Sequence, residues 1–142
     1  MRLIYAVLTL AYGVSMVVAT FTWKLIPIPC LHSDNATGIT FVASVVFAIP
    51  FVMTYTKLGF NSAEGEEPSP ETTARHAALK REFPIWHIAW YAGIGFVLFA
   101  WVGAAAIQIS VHPFFAFSGM ISCLTGIWFL FAYPVATRLF HS

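Results

Sequence analysis

The sequence predicts an all-α membrane protein built as a bundle of four transmembrane helices. Hydrophobic residues make up 59% of the chain and charged residues 9%, whereas a soluble domain has about 45–50% apolar and about 25% charged residues. Four apolar runs are each near or above the roughly 20 residues that a helix needs to cross a bilayer. Because these runs lack the alternating pattern of a barrel strand, we expect helices.

The four runs define one transmembrane domain that covers residues 1–142. The predicted helices are 3–22, 39–56, 85–109 and 113–137, and none has Asp, Glu, Lys or Arg in its interior. The inner loop 57–84 separates the second helix from the third. The last two helices are joined by only a few residues, so they should form a tight antiparallel hairpin. Pro113 suits the first position of the fourth helix, where its missing N–H costs nothing.

Basic residues predict the orientation, because they are retained on the cytoplasmic side of a membrane. Lys24 alone lies in the loop between the first two helices. The other six lie at the opposite ends of the helices: Arg2, Lys57, Arg75, Lys80, Arg81 and Arg138. We therefore expect both termini and the central loop on the cytoplasmic side of a multi-pass protein of the inner or plasma membrane. In the mitochondrial inner membrane, the alternative, the same side is the matrix.

The second half of the inner loop predicts a short amphipathic helix. Ser69 suits its N-cap and Pro70 its first position. Glu71 is favourable near its N-terminus, as Lys80 and Arg81 are near its C-terminus. We expect Lys80 and Arg81 to contact anionic lipid headgroups.

Small residues spaced along the helices predict the packing faces, because helices in lipid approach closely where side chains are small. Pro50 and Pro134 should kink their helices. The predicted packing residues are Ala11, Ser15 and Ala19 on the first helix, Ser44 and Ala48 on the second, Gly93, Ala100 and Ala104 on the third, and Ser118, Ser122 and Gly126 on the fourth.

No motif for catalysis is present, so we predict no catalytic residues and no enzyme activity. The sequence has no Gly-rich phosphate loop, no HExxH and no G-x-S-x-G. His87 and His112 lie at opposite ends of the third predicted helix, about 37 Å apart at 1.5 Å per residue. They cannot share one haem, and we expect no intrinsic cofactor, only bound lipid.

Cys30, His32 and His112 are the candidate metal ligands, since they fall on the outer side near Asp34 and Cys and His suit copper or zinc. Their spacing has no established signature, so the prediction is that no metal is bound. We expect Cys30 and Cys123 to be free thiols, because Cys123 falls well inside a helix.

These features favour a small non-catalytic accessory subunit that packs against and stabilises a larger membrane complex, for example a respiratory or photosynthetic one. The expected partners are the lipid bilayer and other membrane subunits. Nucleic acid is not expected, because the net charge is only +1.

Two alternatives stay open. One is a membrane immunity or regulatory protein that would bind its partner through Lys24, His32 and Asp34. The other is a channel or transporter that works as a homo-oligomer. Its path would be lined by Pro50, Ser118, Ser122, Thr125 and Pro134.

Overall fold

The computed structural model describes the backbone at residues 1–23, 25, 34–60 and 66–140, with side chains throughout except at 34–36 and 140. These ranges contain helices and no strand. Four of the helices are long and apolar enough to span a membrane: Arg2–Thr22, Thr37–Lys57, Pro84–Ala105 and Pro113–Leu139. The all-helical fold with four candidate spans is therefore confirmed.

The helices, in chain order, are α1 (Arg2–Thr22), α2 (Asp34–Lys57), α3 (Pro70–Glu82), α4 (Pro84–Ala105), α5 (Pro113–Ile127) and α6 (Tyr133–Phe140). A π-helical segment, Trp128–Ala132, joins α5 to α6. The helix predicted at 85–109 ends four residues earlier, because the N–H of Ile109 turns back to the carbonyl of Gly103 and Gln108 has a φ of 55°. Conversely, α2 begins five residues before the predicted start at 39.

Helix α5 is the centre of the bundle, with α1, α2 and α4 packed around it. The most extensive contact is with α1, and three glycines make it possible. A Cβ on Gly13 would lie 2.7 Å from the backbone nitrogen of Cys123, and one on Gly119 would lie 3.1 Å from the carbonyl oxygen of Gly13. A Cβ on Gly126 would lie 2.4 Å from Cγ of Leu10. The two backbones therefore touch along much of their length.

On α1 this contact lies on a different face from the predicted one. Ala11 and Ser15 are exposed and Ala19 is half-buried, whereas the face with Gly13 is buried. The i, i+4 pattern of small residues identified a real stripe, but Gly13 permits the closest approach to α5 and turns that stripe outward.

The other predicted packing residues lie at helix contacts or close to them. Ser44, Ala100, Ser118, Ser122 and Gly126 are buried, and Ala48, Gly93 and Ala104 are half-buried. The Ser118 hydroxyl donates a hydrogen bond to the hydroxyl of Tyr12 at 3.2 Å. The side chain of Met120 fills the space that a Cβ on Gly93 would need.

The two prolines affect their helices differently. Pro134 has no N–H for an α-helical hydrogen bond, and the π-helical segment occurs immediately before it, with the N–H of Tyr133 bonded to the carbonyl of Trp128. Such bulges within α-helices are a recognised source of kinks. Pro50, by contrast, lies inside the uninterrupted helix α2. The kink predicted at Pro50 stays a prediction.

The start of α1 and the end of α6 lie at the same end of the bundle, because α1 and α5 are antiparallel, with Gly119 against Val17 and Gly126 against Leu10. The guanidinium of Arg2 lies 5.5 Å from the ring centre of Tyr133 in α6. Helix α3 packs beside α6 and α4 at this end, which we call the α3 end. The opposite end carries the end of α1, the start of α2 and the turn at 106–112, and we call it the turn end.

Candidate functional site

Helix α3 is attached to the C-terminal end of α2 by polar side chains of one face. Ser69 caps α3 as predicted, accepting a hydrogen bond from the N–H of Thr72. Three consecutive carbonyl groups after α2 meet side chains of α3: that of Leu58 accepts from Arg75, that of Gly59 accepts from Thr72, and that of Phe60 lies 3.3 Å from Nε2 of His76. These carbonyls follow the last turn of α2 and need hydrogen-bond partners of their own, which the side chains of α3 provide.

The same face of α3 carries the fully buried Leu79. Docking of this face turns Lys80 and Arg81 outward, and both are exposed. Glu82, the last residue of α3, lies 3.8 Å from Arg138 of α6. This packing holds α3 against the bundle at the level where α2 ends and α4 begins.

Trp128, which is fully buried, is the centre of an aromatic cluster at the α3 end. Its ring centre lies 5.2 to 6.5 Å from those of the five aromatic residues Phe51, Tyr55, Phe60, Trp86 and Tyr133. These rings come from α2, the residues after it, α4 and α6. Edge-to-face and tilted pairs of this kind are favourable beyond the area they bury, so the cluster fixes the relative positions of the elements around it.

A cavity of about 310 Å³ lies beside this cluster. His76 of α3 and His87 of α4 line it together with five aromatic side chains: Phe51, Tyr55, Trp86, Trp90 and Tyr91. Trp86 is buried, whereas Trp90 and Tyr91 are 39% and 70% exposed. The cavity therefore has a packed inner wall and an open side.

The two histidines are the polar groups of chemical interest in this cavity. Their ring centres are 6.4 Å apart. Nε2 of His76 lies 3.1 Å from the hydroxyl of Tyr55. Nε2 of His87 is buried and has no hydrogen-bond partner among the residues that the structure describes. An unpaired buried polar atom is costly, so His87 provides an unused hydrogen-bonding position next to the cavity.

In the sequence, His87 and His112 were compared as possible ligands of one haem, and no pattern connected His87 with His76. The missed signal was the spacing of His76 and Leu79, which places both on one face of α3. Because Leu79 is apolar, the face that carries it is expected to pack against the bundle. This packing brings His76 toward the start of α4.

At the turn end, His112 packs among aromatic rings. Its ring centre lies 4.2 Å from that of Phe115 and 5.0 Å from that of Trp23. Burial lowers the pKa of His112 below its usual value of 6.5. The other candidate metal ligands, Cys30 and His32, lie outside the described residues. Within the ranges that the structure describes, no three His, Cys, Asp or Glu side chains come close enough to hold a metal ion.

Three hydroxyl-bearing residues of α5 were predicted to line a transport path, and all three are buried. Ser118, Ser122 and Thr125 are each fully buried. The Thr125 hydroxyl donates to the carbonyl of Ile121, one turn earlier in its own helix. These side chains lie between helices of this chain and are not presented to a neighbouring copy.

Comparisons with family models, curated proteins and solved structures found no match to this chain.

Proposed function

We propose that this chain is a small, non-catalytic accessory subunit of the membrane that packs against and stabilises a larger membrane complex, for example a respiratory or photosynthetic one. The observation that carries the proposal is the outward face of α1. Because Gly13 directs the opposite face onto α5, Ala11 and Ser15 face away from the bundle.

On that face Ala11 and Ser15 form a patch of small residues among larger exposed side chains such as Leu8 and Val18. A patch of this kind gains nothing from lipid that larger apolar side chains would not gain. It does allow a second helix to approach closely, which is the main source of helix association in lipid. The Ser15 hydroxyl already donates to the carbonyl of Ala11 at 2.8 Å. A partner helix could therefore cover this face without leaving a buried polar group unpaired.

The proposed setting is a multi-pass protein of an inner or plasma membrane, with both termini on the cytoplasmic side. The alternative is the mitochondrial inner membrane. Lys80 and Arg81, exposed on α3, are then level with anionic headgroups. Lipid and the other subunits of the complex are the proposed partners, without an intrinsic cofactor.

The test is the composition of the native particle. The chain is tagged after Ser142 and extracted in mild detergent, and the proteins that co-purify at fixed stoichiometry are identified. We expect recovery within a larger complex. Substitution Ala11→Phe should reduce that recovery several-fold, because the added ring would hold a partner helix away from α1.

The matched control is Val42→Phe, which places the same ring at a 60% exposed position on α2. It should leave recovery of the complex unchanged. Purification of the wild-type chain alone would contradict the proposal, and a stable homo-oligomer would instead favour the channel or transporter alternative. Equal loss with both variants would show that Ala11 has no special part in the contact.

A further inference from the structure

We propose that the cavity between α2, α3 and α4 binds the headgroup of a quinone or quinol, a neutral lipid-soluble ring with carbonyl or hydroxyl oxygens. This inference is independent of the accessory-subunit proposal, since it rests on the cavity alone. It concerns binding only.

The cavity has the size and composition of a site for one substituted ring. Its volume of about 310 Å³ is at the lower end of the roughly 300–1,000 Å³ of ligand pockets. Phe51, Trp86 and Trp90 offer flat apolar surfaces, against which a planar ring can stack.

The charge of the lining favours a neutral ligand. Over the part of the chain that the structure describes, the lining contains no Asp, Glu, Lys or Arg. Among the described lining residues, a quaternary ammonium ion would find aromatic faces but no carboxylate, and a phosphate group would find no Lys or Arg. Lys80, whose charge acts on His87, is exposed on α3 and is not part of this lining. A neutral ring costs least to transfer into such surroundings.

The hydrogen-bonding groups at the cavity favour a ligand whose ring carries oxygen atoms. A neutral imidazole has one donor and one acceptor nitrogen, and Nε2 of His87 is buried without a partner among the described residues. Nε2 does not reach the cavity surface as the ring stands, but His87 lines the cavity. After rotation of its ring toward the cavity, a quinone carbonyl can accept from Nε2 in one tautomer, and a quinol hydroxyl can donate to it in the other. The Tyr55 hydroxyl and His76, 3.1 Å apart at the same cavity, provide a second polar position on the wall.

The location of the open side favours a ligand that arrives from the bilayer. Trp90 and Tyr91 lie on the candidate span Pro84–Ala105, about 9 Å from its start at 1.5 Å per residue. The span of 22 residues is about as long as the ~30 Å hydrocarbon core is thick, so this depth lies inside the hydrocarbon, below the headgroups. A tailed quinone with its ring at that depth can enter the cavity while its tail stays in the hydrocarbon.

The experiment uses the full chain, labelled with ¹⁵N-histidine, in nanodiscs of phosphatidylcholine. The probe is a benzoquinone with a decyl tail, and the readout is the imidazole ¹⁵N chemical shift of His87. We expect saturable binding at one site per chain. His87→Leu should weaken binding, measured by calorimetry, about tenfold, the usual effect of losing one hydrogen bond. Trp90→Ala should weaken it as well.

Trp101→Ala is the matched control, because Trp101 is an exposed tryptophan on the same helix, away from the cavity, and it should bind as the wild type does. Thermal unfolding checks that each variant is folded. If the His87→Leu protein is not folded, the affinity of the Trp90→Ala protein tests the proposal instead. Non-saturable uptake, or wild-type affinity in both cavity variants, would overturn the proposal. Equal competition by phosphatidylglycerol or by decanol would also overturn it and indicate a lipid site.

Discussion

The indole N–H of Trp128 donates a hydrogen bond to the hydroxyl oxygen of Thr54 at 3.1 Å. Thr54 belongs to α2, one turn after Pro50, and Trp128 begins the π-helical segment. The Thr54 hydroxyl in turn donates to the carbonyl of Pro50 at 2.8 Å. One hydroxyl therefore connects the span that contains Pro50 with the span that contains Pro134, at the centre of the aromatic cluster.

Substitution of Thr54 should test the contribution of this connection. Thr54→Val keeps the shape but leaves the buried Trp128 N–H without an acceptor, which costs about 1–3 kcal/mol. Thr54→Ser keeps the oxygen and should cost much less. The measurement is the thermal unfolding midpoint in detergent, and equal midpoints for the two variants would show that the hydrogen bond adds nothing to stability.

Addition of a methyl group at Gly13 should destabilise the contact between α1 and α5. Its Cβ would meet the backbone nitrogen of Cys123 at 2.7 Å, and backbone cannot move aside as a flexible side chain can. Gly13→Ala should therefore cost about 1–3 kcal/mol of overpacking. Gly95→Ala is the control, since nothing lies within 4 Å of that position.

In the control, the higher helix propensity of alanine should produce no loss, or a gain of up to about 1 kcal/mol. Both variants are compared with the wild type by unfolding in mixed detergent micelles. A Gly13→Ala protein as stable as Gly95→Ala would mean that α1 and α5 are not in direct backbone contact.

The spans could be predicted from sequence because their signal is composition over many residues, and lipid imposes that composition on every membrane helix. The N-terminal cap of α3 was equally predictable, since Ser69 and Pro70 act within one turn. The face with which a helix contacts its neighbour is harder to predict, because it depends on single side chains. The stripe of Ala11 and Ser15 has the same spacing as a packing face, and only the absence of a Cβ at Gly13 decides which side of α1 meets α5.

The cavity could not be predicted, because its lining joins residues distant in sequence. His76 and His87 are separated by the end of α3 and a turn, and their approach depends on docking of α3 onto the end of α2. The single-sequence pattern placed both near the same membrane surface. The distance between the two histidines depends on the hydrogen bonds that join the carbonyls of Leu58, Gly59 and Phe60 to α3. The sequence pattern carried no information on these hydrogen bonds.

Reporter fusions should place the α3 end of the bundle in the cytoplasm. Six of the seven Lys and Arg residues fall at that end or in the segment that contains α3, and Lys24 alone belongs to the connection between α1 and α2. A fluorescent protein that fails to fold in the periplasm should fluoresce when fused after Ser142. An alkaline phosphatase fused at the same place should be inactive.

The control for this orientation experiment changes two of the basic residues. Substitution of Lys80 and Arg81 by glutamine removes two exposed charges from α3 and should lower the fraction of correctly oriented chains. Active phosphatase after Ser142 in the wild-type protein would contradict the proposed orientation.

His112 should make the stability of the bundle depend on pH. It lies outside the four candidate spans, and burial among Trp23 and Phe115 lowers its pKa below 6.5 in the folded protein. Above pH 6.5 the group is neutral in both the folded and unfolded states, so stability does not change. As the pH falls through 6.5, the unfolded chain binds a proton that the folded chain does not, and stability falls by up to about 1.4 kcal/mol per pH unit.

The loss should level off once the pH is below the lowered pKa of folded His112, because both states are then protonated. His112→Phe keeps an aromatic ring against Phe115 and removes this titration. The unfolding midpoints of wild type and variant, measured between pH 8 and pH 5, should diverge below about pH 6.5, with the wild type the more acid-sensitive. Parallel curves would show that another group, and not His112, causes any loss of stability in acid.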